Sequence, residues 1–137
     1  MAKPSPNLPC PCGSELKYKK CCRKYHKGAL PATAEQLMRS RYSAYAFGLT
    51  DYIMKTTHPD NPDFTENHTQ WTEDILHFCN VTDFLGLKII EVSEGTEKAY
   101  VTFEASLSSG ILKEKSRFLK ENGKWYYVNG IFGEEIS

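Results

Sequence analysis

Residues 98–129 read KAYVTFEASLSSGILKEKSRFLKENGKWYYVN, and their period decides the fold class. Ala99, Val101, Phe103, Ala105 and Leu107 alternate with Lys98, Tyr100, Thr102 and Glu104. A two-residue repeat of this kind puts apolar groups on one face and polar groups on the other, as a half-buried strand requires. Ser108-Ser109-Gly110 is a turn. Residues 111–120 alternate again, with Leu112, Ser116 and Phe118 on one face and Lys113, Lys115 and Arg117 on the other. Glu121-Asn122-Gly123 is a tight hairpin signal, and Lys124–Asn129 is the returning strand. Phe84–Val92 predicts one further strand upstream.

Before residue 84 the period is helical. Thr33-Ala34-Glu35-Gln36 has the form of a capping box. Leu37, Met38, Arg41, Tyr42 and Tyr45 then recur at helical spacing, with Gly48 as the stop. Asp51–Thr57 predicts a second, short helix, which His58-Pro59-Asp60-Asn61-Pro62-Asp63 breaks. Asn67–Cys79 predicts a third, with Trp71, Ile75 and Phe78 on one face and Glu73 and His77 on another. Helices followed by a meander make an α+β domain, with helices packed on one face of a curved antiparallel sheet.

The chain has 137 residues, enough for one domain with a small appendage. Hydrophobic residues make up 40% and charged residues 25%, which excludes a mainly disordered chain. No apolar run is long enough to span a membrane. The start, MAKPSPNLPCPCGS, lacks the apolar core of a secretory signal, so a cytoplasmic location with reduced cysteines is expected. Residues 1–30 stand apart from residues 31–137. They hold four of the five cysteines and four of the seven prolines, and carry a net charge of +6 against −6 for the remainder. Lys17, Lys19, Lys20 and Arg23 concentrate that charge and favour an anionic partner such as RNA, a ribosome or an acidic protein face.

Cys10-Pro11-Cys12, eight residues, then Cys21-Cys22 is a C-x-C-x8-C-C pattern. Four thiolates within so short a stretch close a tetrahedral site, which suits zinc and explains how a segment without a core can fold. All four positions are then filled by protein, which argues for structure rather than catalysis at the metal. His26 is a substitute ligand, Ser14 a candidate helix cap, and Cys79 a buried small hydrophobe.

Candidate pocket residues are Arg41, Tyr45, His58, Trp71, Arg117 and Tyr127. Arg41 and Tyr45, four residues apart, share a helical face, and an arginine among aromatics can hold a carboxylate or phosphate. The competing reading is that Arg41 pairs with Glu114 and locks helix to sheet. His58 is a candidate general base or a loop brace. Glu73 and His77 read as an ordinary surface pair. No set of nucleophile, base and orienting group can be assembled, so enzymatic activity is left open.

CPCGSELKYKKCC (10–22) resembles the SEC-C motif, the small zinc-binding tail of the SecA translocation ATPase and of many unrelated bacterial proteins. LMRSRYSAY (37–45), DYIMKTTHP (51–59), FLGLKI (84–89), VTFEA (101–105) and SRFLKENGKWYYVNG (116–130) resemble the YchJ family of uncharacterised bacterial proteins. The resemblance implies a SEC-C zinc knuckle followed by a nuclear-transport-factor-2-like cone of the SnoaL-like kind. Relatives often carry a second SEC-C motif after the sheet, whereas this sequence reads to Ser137 without one. The family also tends to show histidine, tryptophan and aspartate where Lys113, Thr57 and Asn129 stand here.

Three functional expectations follow, in order. The first is an adaptor whose basic knuckle docks on a protein, RNA or ribosomal partner. The second is a small-molecule binder or enzyme using the cone pocket. The third is a homodimer formed through the sheet, with Tyr100 and Trp125 as exposed contributors.

Overall fold

A computed structural model describes residues 3–133. The outermost residues of the expected 1–30 and 31–137 segments lie outside that range. A 3-10 turn (Tyr18–Lys20) leads into α1 (Arg23–His26), α2 (Ala34–Phe47), α3 (Thr50–Lys55) and α4 (His68–Val81). Four strands follow: β1 (Phe84–Glu94), β2 (Lys98–Leu107), β3 (Gly110–Glu121) and β4 (Lys124–Phe132). They form one antiparallel sheet in the order β1-β2-β3-β4.

α2 starts at the predicted capping box, in which Gln36 N–H donates to Thr33 Oγ1 and the Gln36 side chain accepts from Thr33 N–H. It contacts β1, β2 and β4, with α3 and α4 beside it. The alternation read in β2 is realised: Ala99, Val101, Phe103, Ala105 and Leu107 are all buried. Tyr42 OH donates to Gly86 O at 2.9 Å and accepts from Gly86 N–H, tying α2 to a register shift in β1.

α3 ends two residues earlier than expected. Thr56 and Thr57 turn their hydroxyls onto the carbonyls of Tyr52 and Ile53. The backbone beyond then joins the sheet instead: Tyr127 N–H donates to Thr56 O, and His58 N–H donates to Tyr127 O.

β4 carries a bulge that the alternating pattern does not announce. Phe118 pairs with Tyr127 but Arg117 with Asn129, so Val128 is an extra residue. Before the bulge Trp125 and Tyr127 share the face of Phe118; after it Gly130 and Phe132 share the face of Ser116 and Glu114. Asn61 Nδ2 donates to Val128 O at 2.7 Å and satisfies the bulged carbonyl.

Trp125 corrects an expectation. It is buried rather than exposed, and its Nε1 donates to Ala32 O at 3.2 Å. It anchors the segment before α2 and is withdrawn from any sheet-to-sheet contact. Tyr100 is half-buried, and Lys115 Nζ lies 5.3 Å from its ring centre.

Candidate metal centre and candidate pocket

The four N-terminal cysteines meet because their segment folds back on itself. Cys10 N–H donates to Leu16 O, Tyr18 N–H donates to Leu8 O, and Pro9 bridges Lys17. The 3-10 turn then delivers Cys21 and Cys22 to the same point. All four Sγ atoms lie within 4.8 Å of one another, with Cys12–Cys21 at 3.5 Å and Cys21–Cys22 at 3.9 Å. Tetrahedral zinc thiolates with bonds of ~2.3 Å place their sulfurs roughly 3.8 Å apart, so the donor set fits such an ion. All five cysteines are free thiols.

The thiols perturb one another. Donation from Cys10 and Cys22 holds Cys12 far below the ordinary thiol range, while hydrogen bonds with Cys10 and Cys12 push Cys22 far up. Burial lifts Cys21 to about 11. A thiolate at Cys12 beside neutral Cys21 and Cys22 is the pattern expected of the bare cluster; four thiolates together require a cation.

α2 supplies the floor. Ser43 Oγ lies 3.3 Å from both Cys10 Sγ and Cys22 Sγ. Arg39 Nη1 donates to Cys12 O at 2.8 Å, and its Nε donates to Glu35. The Tyr18 ring meets the Phe47 ring edge to face at 5.0 Å. His26 is not a substitute ligand: its Nε2 donates to Ser40 O at 2.8 Å and its Nδ1 accepts from Tyr18 OH at 2.7 Å, because burial favours the neutral ring. Ser14 does not cap a helix; its hydroxyl accepts from Leu16 N–H and contacts Cys21 Sγ at 3.1 Å. Lys17, Lys19, Lys20 and Arg23 are exposed around this docked knuckle.

The six candidate pocket residues separate. Arg41, Tyr45 and Tyr127 line a cavity of about 250 Å³ between α2 and the sheet. His58 and Trp71 line a second, more open depression of about 570 Å³. Arg117 lines neither; it reaches Asn129 on the outer face of the sheet. His58 accepts from Asp60 N–H at Nδ1 and donates from Nε2 to Glu121, so both ring nitrogens are committed to bracing the loop. Arg41 forms no ion pair with Glu114. Its Nη1 donates to Ile53 O, Thr56 Oγ1 and Thr57 Oγ1, and its guanidinium stacks on Tyr127 at 4.7 Å.

Glu114, weighed in the sequence only as an ion-pair partner of Arg41, lines the same cavity. Its Oε2 accepts from Ser116 and from Tyr127 OH. Burial raises its pKa, against the opposing pull of those hydroxyls and of Arg41. A side chain at Gly130 would collide with that carboxyl. The signal was the register: Glu114 shares its face with Ser116 and Phe118. Glu73 and His77 are exposed, and among the described residues only the four cysteines form a cluster able to hold a metal ion. No helix among the described residues is long and apolar enough to cross a membrane.

Residues 33–130 match the family model described as YchJ, middle NTF2-like domain, and residues 7–24 match the SEC-C motif. The chain belongs to the YchJ family. Among its YchJ-family relatives, a UPF0225 protein of Vibrio parahaemolyticus is 40% identical over 93% of this chain and 77% of its own length. One from Serratia proteamaculans is 39% identical over 88% and 81%. A solution structure of a SEC-C motif containing protein from Rhodopseudomonas palustris superposes with a TM-score of 0.78 at 32% identity, covering 93% of this chain and all of that one. A crystal structure of a SEC-C motif containing protein from Psychrobacter arcticus gives 0.74 at 28% identity, covering 96% and 86%.

Proposed function

We propose that this YchJ-family chain is a zinc-holding cytoplasmic adaptor, with residues 1–30 as the knuckle and residues 31–137 as its body, and that the knuckle docks on an acidic protein partner. The observation that carries the reading is the joint exposure of Lys17, Lys19, Lys20 and Arg23 beside Leu8 and Leu16. Leu8 and Leu16 belong to the segment that pairs back on itself through Cys10 and Tyr18, on a base bonded to α2. Cations mixed with exposed aliphatics suit an acidic, partly apolar protein segment. Tyr18 and Tyr25 are buried, which removes the stacking platform that single-stranded RNA readers use.

Replacing Lys17, Lys19, Lys20 and Arg23 together by glutamine tests it. Salt-sensitive binding to an acidic, leucine-containing peptide should fall at least tenfold, with melting temperature unchanged. Tight binding to RNA or ribosomes with none to the peptide assigns the nucleic-acid partner instead. Unchanged binding by the neutralised protein refutes the adaptor.

The cavity under α2 favours a second reading, small-molecule binding by the body. Its wall is largely aromatic and aliphatic, with polar groups gathered at Arg41, Glu114, Ser116 and Tyr127.

A further inference from the structure

Resting on that second reading, we propose that the cavity between α2 and β3 takes a small, mostly apolar carboxylic acid, with its carboxylate on the free edge of Arg41 and beside Glu114. Arg41 is only 5% exposed, yet no carboxylate of the protein lies within 4.0 Å among the described residues. Glu114 lines the same cavity and feels the Arg41 charge without contacting it, so the guanidinium lacks a directly bonded counter-charge, which is costly for a buried cation.

The geometry of the guanidinium narrows the choice. All three of its hydrogen bonds leave from Nη1, to Ile53 O, Thr56 Oγ1 and Thr57 Oγ1. Nε and Nη2 donate to no described residue, and neither is sealed away from open space. The open space that Arg41 lines is the cavity. Nε and Nη2 form one edge of the planar group, and two parallel N–H donors on one edge match the two oxygens of a carboxylate. Tyr127 holds that edge in place: its ring stacks on the guanidinium and its hydroxyl donates to Glu114 Oε2.

Glu114 supplies the second half of the head-group site. It is 6% exposed, and both of its hydrogen bonds fall on Oε2. Oε1 has no partner among the described residues and is likewise not sealed off. Two carboxyl groups side by side share one proton, so a ligand carboxylate on Arg41 makes Glu114 the proton-bearing member. The assembly of Arg41, ligand anion and neutral Glu114 is then electrically balanced inside an apolar wall. A phosphate dianion would leave excess negative charge facing Glu114 with one arginine to answer it.

The remaining wall sets the tail. Tyr45, Phe78, Phe84, Leu107, Leu112 and Phe132 line it. An apolar cavity of ~150 Å³ holds benzene, so this cavity of about 250 Å³ accommodates about ten non-hydrogen atoms on the same scale. An aromatic or branched aliphatic acid of that size fits.

The test uses the full-length, metal-loaded chain and a panel of aromatic and branched acids, each matched to its amide and its hydrocarbon. Binding is read by calorimetry and by melting temperature. At least one acid should bind tenfold or more tightly than its amide and hydrocarbon. Arg41→Lys should remove that advantage. Leu112→Trp, which fills the tail region without touching Arg41, should abolish binding of all three forms. Glu114→Gln should keep acid binding, whereas a ligand needing Glu114 as an anion would lose it. Equal binding of acid, amide and hydrocarbon overturns the carboxylate assignment but leaves the small-molecule reading intact. No binding by any member of the panel overturns both.

Discussion

Gly13 approaches the Leu87 carbonyl so closely that a side-chain carbon at position 13 would sit 2.6 Å from that oxygen. Gly13 also has φ +78°, in the left-handed region. The loop that carries Cys12 is therefore seated on the backbone of β1, and only glycine permits both the turn and the contact.

Gly13→Ala should destabilise the protein by about 2 kcal/mol, since strain and collision act together. Chemical denaturation measures the loss. Hydrogen exchange should locate it at residues 10–22 and leave β2 and β3 protected. A variant as stable as the parent would mean that the knuckle is not seated on β1.

Metal removal should act on the same segment. Elemental analysis of the purified protein is expected to find one zinc ion per chain. A chelator should speed exchange at residues 10–22 while the sheet, whose core includes Val101, Phe103 and Phe118, stays folded. Cys22→Ser should lower zinc content and reproduce the chelator's effect. A protein that holds no metal and keeps this segment protected would contradict the metal centre.

His26→Ala separates bracing from ligation. His26 joins Tyr18 OH to Ser40 O, away from the sulfurs. Its loss leaves both groups short of a partner and should cost about 1–3 kcal/mol. Zinc stoichiometry should be unchanged. A loss of metal without a loss of stability would make His26 a ligand after all.

Glu114 should give the body a pH signature. Its folded-state pKa lies above the ordinary 4.5, because burial outweighs the hydroxyls of Ser116 and Tyr127 and the charge of Arg41. Tyr45 also faces it from α2. The folded state thus holds this proton more tightly than the unfolded chain. The resulting stabilisation is complete below the ordinary carboxylate value and is lost as pH rises through the raised one. Glu114→Gln has no such proton, so the parent's stability relative to the variant should decline as pH rises across that window. Parallel stability curves would show Glu114 to be unperturbed.

The elements were legible because each depends on a few neighbouring residues. Thr33 and Gln36 announced the start of α2, and the odd positions from Ala99 to Leu107 announced β2. Asn122-Gly123 announced the hairpin between β3 and β4. The exposure expected of Trp125, the ligand role weighed for His26 and the Glu114 pairing weighed for Arg41 failed for a common reason. Each has polar partners from distant parts of the chain: Ala32 for Trp125, Ser40 and Tyr18 for His26, and Ile53, Thr56 and Thr57 for Arg41. The bulge at Val128 was also invisible, since it is a mismatch between two strands rather than a feature of one.

The amino-acid order alone determined that four sulfurs could gather and that helices would precede a meander, because spacing and period are local properties. Only the tertiary structure decided that Ser43, Arg39 and His26 tie the knuckle to the body, and that Arg41 and Glu114 line one cavity with unmatched polar edges. Those relations are set by the register between segments that meet only after folding, when burial makes every unpaired charge count.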